Sequence, residues 1–302
     1  MALTGIPDHG VELSPGEGAT EPTVRRSRLT SKLPMQLNLL AGSILMVLVV
    51  VLAIVGRVAP LKNPLAVDPS HVLVPPGGGH WFGTDDFGRD IFSRVLYGMG
   101  TDLVIGLIVA SLALLLGTAI GIVSGYLGGW IDDVVMRIVD ILMSFPSFLL
   151  ALTIAVVLGN NVRNVVLAVT IAYTPYILRL TRSSVLSARK ADYVLGARAV
   201  GASRLRVMSM HILPNAIGPS LVQATLMSGW AILDVSGLSF LGVGIQPPSP
   251  ELGVQVAAGS RYITNGQWWP SVFPGLAIVF IVLAFNFLGD YADQRLRGDR
   301  AS

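Results

Sequence analysis

The chain has 302 residues, 52% apolar and only 13% charged, with a net charge of +3 and no cysteine. Soluble domains carry about 25% charged residues, so this composition points to lipid as the main solvent. The missing cysteine excludes disulfides, thiolate metal sites and cysteine nucleophiles, and the scattered His9, His71, His80 and His211 argue against a histidine metal site. So small a net charge gives no sign of nucleic-acid binding; where the charges fall is more informative.

Residues 1–32 are expected to be a disordered cytoplasmic segment, rich in Gly, Pro, Glu and Thr up to about residue 24 and without the apolar core of a signal peptide. Arg25, Arg26, Arg28 and Lys32 then precede a long apolar run, which by the positive-inside rule puts this end in the cytoplasm. The first transmembrane helix lies within 33–58 and is uncharged from Leu37 to Val55, long enough to cross a bilayer. Arg57 and Lys62 oppose that orientation but are outnumbered. Residues 59–101 read as an extracytoplasmic loop with a turn at Pro75–Gly79. Within it, Ile91, Phe92, Val95 and Leu96 recur at helical spacing behind Asp85 or Asp86 as cap, which predicts an interfacial helix. Asp85, Arg89, Asp90 and Arg94 would then form ion pairs on its surface.

Residues 102–291 are expected to hold five further helices. The second span, Leu103 to Leu127, is rich in small residues (Gly106, Ala110, Ser111, Gly117, Gly121, Gly125) that let helices approach closely in lipid. The third, Ile141 to Gly159, carries Pro146. The fourth has an uncharged stretch only between Arg163 and Arg179, short of the roughly 20 residues of a crossing. It reads as Val165 to Ile177 or beyond, kinked at Pro175, with Arg179 and Arg182 snorkelling to the cytoplasmic surface. The fifth runs from Ala216 to Val235 and contains Asp234; the sixth covers Val272 to Leu288, preceded by Trp268 and Trp269 as an aromatic belt. A cytoplasmic tail, 292–302, carries Arg295, Arg297 and Arg300.

Between the fourth and fifth spans, residues 187–214 hold the densest basic cluster, with Arg189, Lys190, Arg198, Arg204 and Arg206 following Arg179 and Arg182. Gly201 ends one short helix and Ser203 caps a second. Pro214 opens the next apolar helix, where its missing N–H costs nothing. Two short helices joined at a glycine make an elbow that projects into water.

Three passages carry a family resemblance. Ala197, Gly201, Leu213 and Pro214 match the cytoplasmic loop of ATP-binding-cassette importer permeases, while Leu195, Gly196 and His211 stand where that family prefers Glu, Ala and Ile. Gly83, Thr84, Asp85, Gly88, Arg89, Asp90, Ser93 and Arg94 match a passage of dipeptide and oligopeptide permeases. So do Ser239, Phe240, Leu241, Gly242, Gly244, Gln246, Pro247 and Pro248. The chain thus resembles the C-type permease subunit of a dipeptide or oligopeptide importer. The resemblance implies an all-α membrane protein of six transmembrane helices, the type I importer permease fold with cytoplasmic coupling helices. It also implies a multi-pass protein of the cell membrane with both termini cytoplasmic, and as partners a B-type permease, two ATP-binding subunits that hold ATP and Mg, and an extracytoplasmic substrate-binding protein. The resemblance further implies that contact with the ATPase falls on Tyr193, Gly196, Ala197, Arg198, Ala199, Gly201, Ala202, Ser203, Arg204, Leu213 and Pro214.

The residues themselves agree that energy comes from elsewhere. No G-x-x-x-x-G-K-[ST] loop and no catalytic constellation is present, so the chain is expected to be no enzyme and to hold no cofactor of its own. A gradient-driven transporter remains the less favoured class, since it usually shows repeats and several intramembrane acids, and here Asp234 is the one acid expected within a span. The same machinery importing nickel or another small solute is the alternative for the cargo. Asp234 either faces the translocation path and attracts a cationic group, or lies hydrated or paired near the outer end of its span.

Overall fold

Polar side chains cap the starts of several helices in this protein, Asp90, Asn161, Ser203 and Glu251 among them. The computed structural model describes residues 35–298 except Pro60, and the described residues form helices without strands. The head 1–32, with Arg25, Arg26, Arg28 and Lys32, and the final Arg300 lie outside the described residues. Helix α1 spans Met35–Val58. Helix α2, Ile91–Leu127, is a single rod of 37 residues. The interfacial helix and the second span are therefore one element, with no break where the loop was expected to end.

The cap of α2 is Asp90, not Asp85 or Asp86: its carboxylate accepts from the Ser93 N–H at 3.0 Å and the Ser93 hydroxyl at 2.7 Å. Asp85 lies before the helix and is buried with Arg89 and Arg94. Its Oδ1 accepts from the backbone N–H of Phe87 and Arg89, and its Oδ2 pairs with Arg89 Nε at 2.7 Å and Arg94 Nε at 3.5 Å. These charges are thus an interior network that pins the loop onto the bundle, not surface pairs. Arg94 extends the network by donating to the Pro64 carbonyl, and Trp269 Nε1 donates to the Thr84 carbonyl at 3.2 Å. Trp269 is consequently buried and is no belt residue, whereas Trp268 is exposed.

Gly128 and Gly129, both with positive φ, turn the chain into α3, Gly129–Met143. Pro146 excludes continued helix, and α4, Ser147–Leu158, departs at 91°. The third span is this bent pair and begins well before Ile141. Five other helices are long and apolar enough to cross a membrane, and the bent pair counted as one broken span makes six.

Helix α5, Val162–Ala188, is 27 residues long, far beyond the stretch that lacks charge, and it keeps Pro175 inside. Its length is compatible with lipid because the two arginines beyond the uncharged stretch, Arg179 and Arg182, are paired. Arg182 grips Asp132 of α3 through Nε and Nη2, each at 2.5 Å, and Arg179 Nη2 meets Asp140 at 2.7 Å. These side chains bind α3 to α5. The remaining elements are α6 (Asp192–Ala199), α7 (Arg204–Arg206), a π-helical segment (Val207–Ile212), α8 (Leu213–Ala216), α9 (Gly218–Phe240), α10 (Leu252–Ser260) and α11 (Trp269–Gly298).

The α2–α5 pair is the most extensive helix contact. Gly117, Gly121 and Gly125, four residues apart on α2, leave room for it. A Cβ added at Gly117 would stand 2.7 Å from Ile177 Cβ, one at Gly121 2.8 Å from the Leu178 carbonyl oxygen, and one at Gly125 3.1 Å from that of Arg182. In hydrocarbon, where burial gives no driving force, such close backbone approach is what holds helices together. One core cluster joins α2, α4, α5 and α9, a second joins α1, α2, α10 and α11, and a third lies beneath residues 190–216.

Candidate functional site

The elbow begins where α5 runs out. Arg189 caps α5 and donates through Nη1 to the Gly125 carbonyl at 3.0 Å, so the elbow starts tied to the end of α2. Helix α6 ends at Ala199 in a Schellman motif: Ala202 N–H donates to the Ala197 carbonyl and Gly201 N–H to that of Arg198, both at 3.0 Å. Gly201 takes the left-handed position of that motif, with φ +80°. Ser203 Oγ then accepts from Arg206 N–H at 3.4 Å and caps α7. Both helix signals read from the sequence are present.

The second limb differs from the expected short helix. From Arg204 to Phe240 the chain is helical almost throughout, and its Val207–Ile212 portion is wound as a π-helix. Pro214 explains this locally. It has no N–H, and the turn ahead of it widens so that Leu213 N–H donates to Met208 O, five residues back. Pro214 thus opens the four-residue α8, and Pro219 opens the long apolar helix α9.

Val194, Val207 and Ile212 are fully buried and anchor the elbow on Ile122 and Tyr126 of α2 and Val185 of α5. Arg198 stacks on Tyr126, its guanidinium carbon 4.9 Å from the ring centre. The residues predicted to meet an ATPase divide into two groups. Ala197, Ala202 and Leu213 are half-buried and pack on the anchor. Tyr193, Gly196, Arg198, Ala199, Gly201, Ser203, Arg204 and Pro214 are exposed. Beside them stands an apolar crest that sequence reasoning passed over: Leu195, Val200, Leu205 and Met210, with Val200 85% exposed. The signal was available, since these residues recur out of phase with the buried valines.

Asp234 lies elsewhere, on α9, half-buried, and accepts a hydrogen bond from Tyr173 of α5 at 2.8 Å. Tyr173 was missed as its partner, and no spacing rule could have revealed it. Phe148 of α4 packs beside Gly237, one helical turn on.

Asp234 is not alone among intramembrane acids. Asp102 falls inside α2 because that helix starts at Ile91, and it is 2% exposed. Its Oδ2 accepts from the Leu252 N–H at 3.2 Å, and its Oδ1 has no hydrogen-bond partner. Immediately before Leu252 and outside the long spans, Glu251 is fully buried and caps α10, accepting from the Val254 N–H at 2.7 Å and the Ser236 hydroxyl at 3.1 Å. Burial pushes the Glu251 carboxyl above the usual carboxylate range, against the lowering effect of its hydrogen bonds. In the loop before α2, burial and the neighbouring Asp85 likewise raise Asp86. Among the described residues no group of three potential ligands could hold a metal.

Comparison with known proteins gives the family. Residues 117–298 match the family described as "Binding-protein-dependent transport system inner membrane component". The dipeptide transport system permease protein DppC of Alkalihalophilus pseudofirmus is 41% identical over 251 residues, covering 83% of this chain and 82% of the relative. The di/tripeptide transport system permease protein DppC of Pseudomonas aeruginosa is 39% identical, covering 83% and 84%. A probable D,D-dipeptide transport system permease protein, DdpC of Escherichia coli, is 41% identical, covering 82% and 83%. Among solved structures, an amino acid ABC transporter matches with a TM-score of 0.50 at 17% identity, over 67% of this chain and 94% of the other, a likeness of fold.

Proposed function

Because the chain belongs to the inner membrane components of binding-protein-dependent transport systems, we propose that it is the C-type permease half of an importer of di- and oligopeptides. The names of its relatives favour peptides over nickel as cargo. The partners in this reading are a B-type permease, two ATP-binding subunits that hold ATP and Mg, and an extracytoplasmic binding protein. Both termini and the elbow face the cytoplasm, in keeping with the basic cluster at residues 179–206.

The observation that carries the coupling role is the pairing of a rigid anchor with an exposed apolar crest. Large apolar side chains left exposed together on one projection mark a contact surface. Leu195, Val200, Leu205 and Met210 offer that surface, and Tyr193, Arg198, Ser203 and Arg204 rim it with polar groups. The buried valines transmit a push on the elbow to α2 and α5 as a unit. Closure of the ATPase pair on ATP then shifts the population between inward-open and outward-open bundles, by the difference in its affinity for the two. Asp234 serves on the translocation path, oriented by Tyr173 so that its outer face meets the peptide's cationic terminus.

The test is Val200→Asp in the assembled transporter, reconstituted in vesicles with its binding protein. Val200 is almost fully exposed, so the fold tolerates the change. ATP-driven peptide uptake should fall at least tenfold, with the protein at its normal level in the membrane. Normal uptake would remove the elbow from the coupling path.

A further inference from the structure

At the end of the bundle opposite the elbow lies a recess that the transport reading does not use. Helices α1, α2 and α11 enclose an apolar cavity of about 340 Å³, walled by Leu48, Val49, Met99, Phe273 and Phe280 among others. That volume is within the roughly 300–1,000 Å³ typical of small-molecule sites. Phe92 forms part of its wall and also part of a second chamber of about 220 Å³, whose mixed lining includes Lys62, Trp81, Asp90 and Ser93. The two chambers meet at Phe92, with Trp81 packed against it at 4.8 Å between ring centres.

What fills the apolar chamber follows from where it opens. Leu48 and Phe280 are each 47% exposed and belong to membrane-spanning helices, so the chamber opens toward hydrocarbon. Water has no polar partners there, and an empty chamber would forfeit dispersion contacts along its walls. A hydrocarbon chain supplies them. Helix α1 is the least buried of the five long spans, so it has most to gain from a filler along this seam.

The charge in the second chamber specifies the head of the occupant. Lys62 Nζ donates to the Gly79 carbonyl at 2.5 Å and lies 3.4 Å from the His80 ring, and among the described ion pairs it has no carboxylate partner. Asp90 also reaches this chamber, but its carboxylate is already met by His80 at 2.9 Å and by two donors from Ser93. The local balance therefore favours an anion at Lys62. Trp81, 70% exposed, stands at the junction as an amphipathic boundary residue.

We propose that this recess holds one anionic glycerophospholipid, with an acyl chain between α1, α2 and α11 and its phosphate on Lys62. Bound there, the lipid fastens α1 to the rest of the bundle. The occupant is a lipid and not a helix of the partner permease, because Phe92 walls both the apolar cavity and the chamber that holds Lys62, which puts a cation without a carboxylate partner among the described ion pairs within reach of a headgroup.

The test uses the assembled transporter, purified in detergent, stripped of lipid and given a mixture of phosphatidylglycerol and phosphatidylethanolamine before native mass spectrometry. The wild type should retain phosphatidylglycerol. Leu48→Trp fills the apolar chamber from a half-exposed position and should lose one lipid per copy of this chain. Lys62→Gln should keep a lipid but lower the preference for phosphatidylglycerol about fivefold, the effect of one interfacial lysine. Equal retention in Leu48→Trp, or an unchanged preference in Lys62→Gln, would overturn the assignment. So would an efficient cross-link from Leu48→Cys to the partner permease, which would show protein in the recess.

Discussion

Replacing Gly201 separates two ways in which the elbow could depend on a glycine. Its φ of +80° is a left-handed conformation, and a Cβ built there meets no heavy atom within 4 Å. Any effect within this chain is therefore backbone strain and not a clash. Left-handed backbone costs an L-residue about 1–2 kcal/mol, less for Asn, whose short side chain compensates locally. A β-branched residue at positive φ is a stronger outlier, so the expected order of damage is Asn, then Ala, then Val. The strain falls on a small structure: α6 has 8 residues, and two 3.0 Å hydrogen bonds close its end. Opening that end should become about 5–30 times more frequent in Gly201→Ala. Limited trypsin digestion of the purified protein measures it, because Arg198, Arg204 and Arg206 flank the motif and cleavage follows the open population. Gly201→Asn should resemble the wild type in both digestion and uptake, and Gly201→Val should lose both. Equal cleavage across the series would refute the strain argument. Normal digestion of Gly201→Asn combined with lost uptake would instead show that the open space is filled by a partner.

Three further outcomes follow from the packing and the buried acids. Gly121→Val would place a Cβ 2.8 Å from the Leu178 carbonyl oxygen and 2.9 Å from Thr181 Cβ. Overpacking of this kind costs about 1–3 kcal/mol, to be read as a lowered thermal midpoint in detergent, while Gly196→Ala, with open space around it, should leave the midpoint unchanged or raised. Asp234→Asn keeps the hydrogen bond from Tyr173 and removes the charge, so uptake of peptides with a free amino terminus should fall more than that of blocked ones; equal changes would exclude the substrate contact. Glu251 is held above its ordinary 4.5, so the folded state binds more protons than the unfolded one above that pH. Its stabilising contribution is complete below 4.5 and is lost as pH rises through the raised value, so the thermal midpoint should climb as pH is lowered toward 4.5, and Glu251→Gln should flatten the slope.

Composition and local signals decided the class of this protein and the outline of its elbow. Apolar runs long enough to cross a bilayer declare themselves because lipid leaves the backbone no alternative to helix. Gly201 and Ser203 declared a helix end and a helix start because both are determined within five residues. The spacing of Gly117, Gly121 and Gly125 announced a close crossing but not its partner. Everything that depended on a distant residue was settled only by the tertiary structure. Asp85, Arg89 and Arg94 have the spacing of a surface ion-pair ladder, yet they are interior because a loop folds back over them. Helix α5 reads as too short for a crossing until Asp132 and Asp140 of α3 are brought against its arginines. Tyr173 reaches Asp234, and Asp102 meets the backbone beside Glu251, across separations of 61 and 150 residues. A charge in lipid is tolerable only beside its partner, and the partner's position belongs to the packing of the helices, not to any one of them.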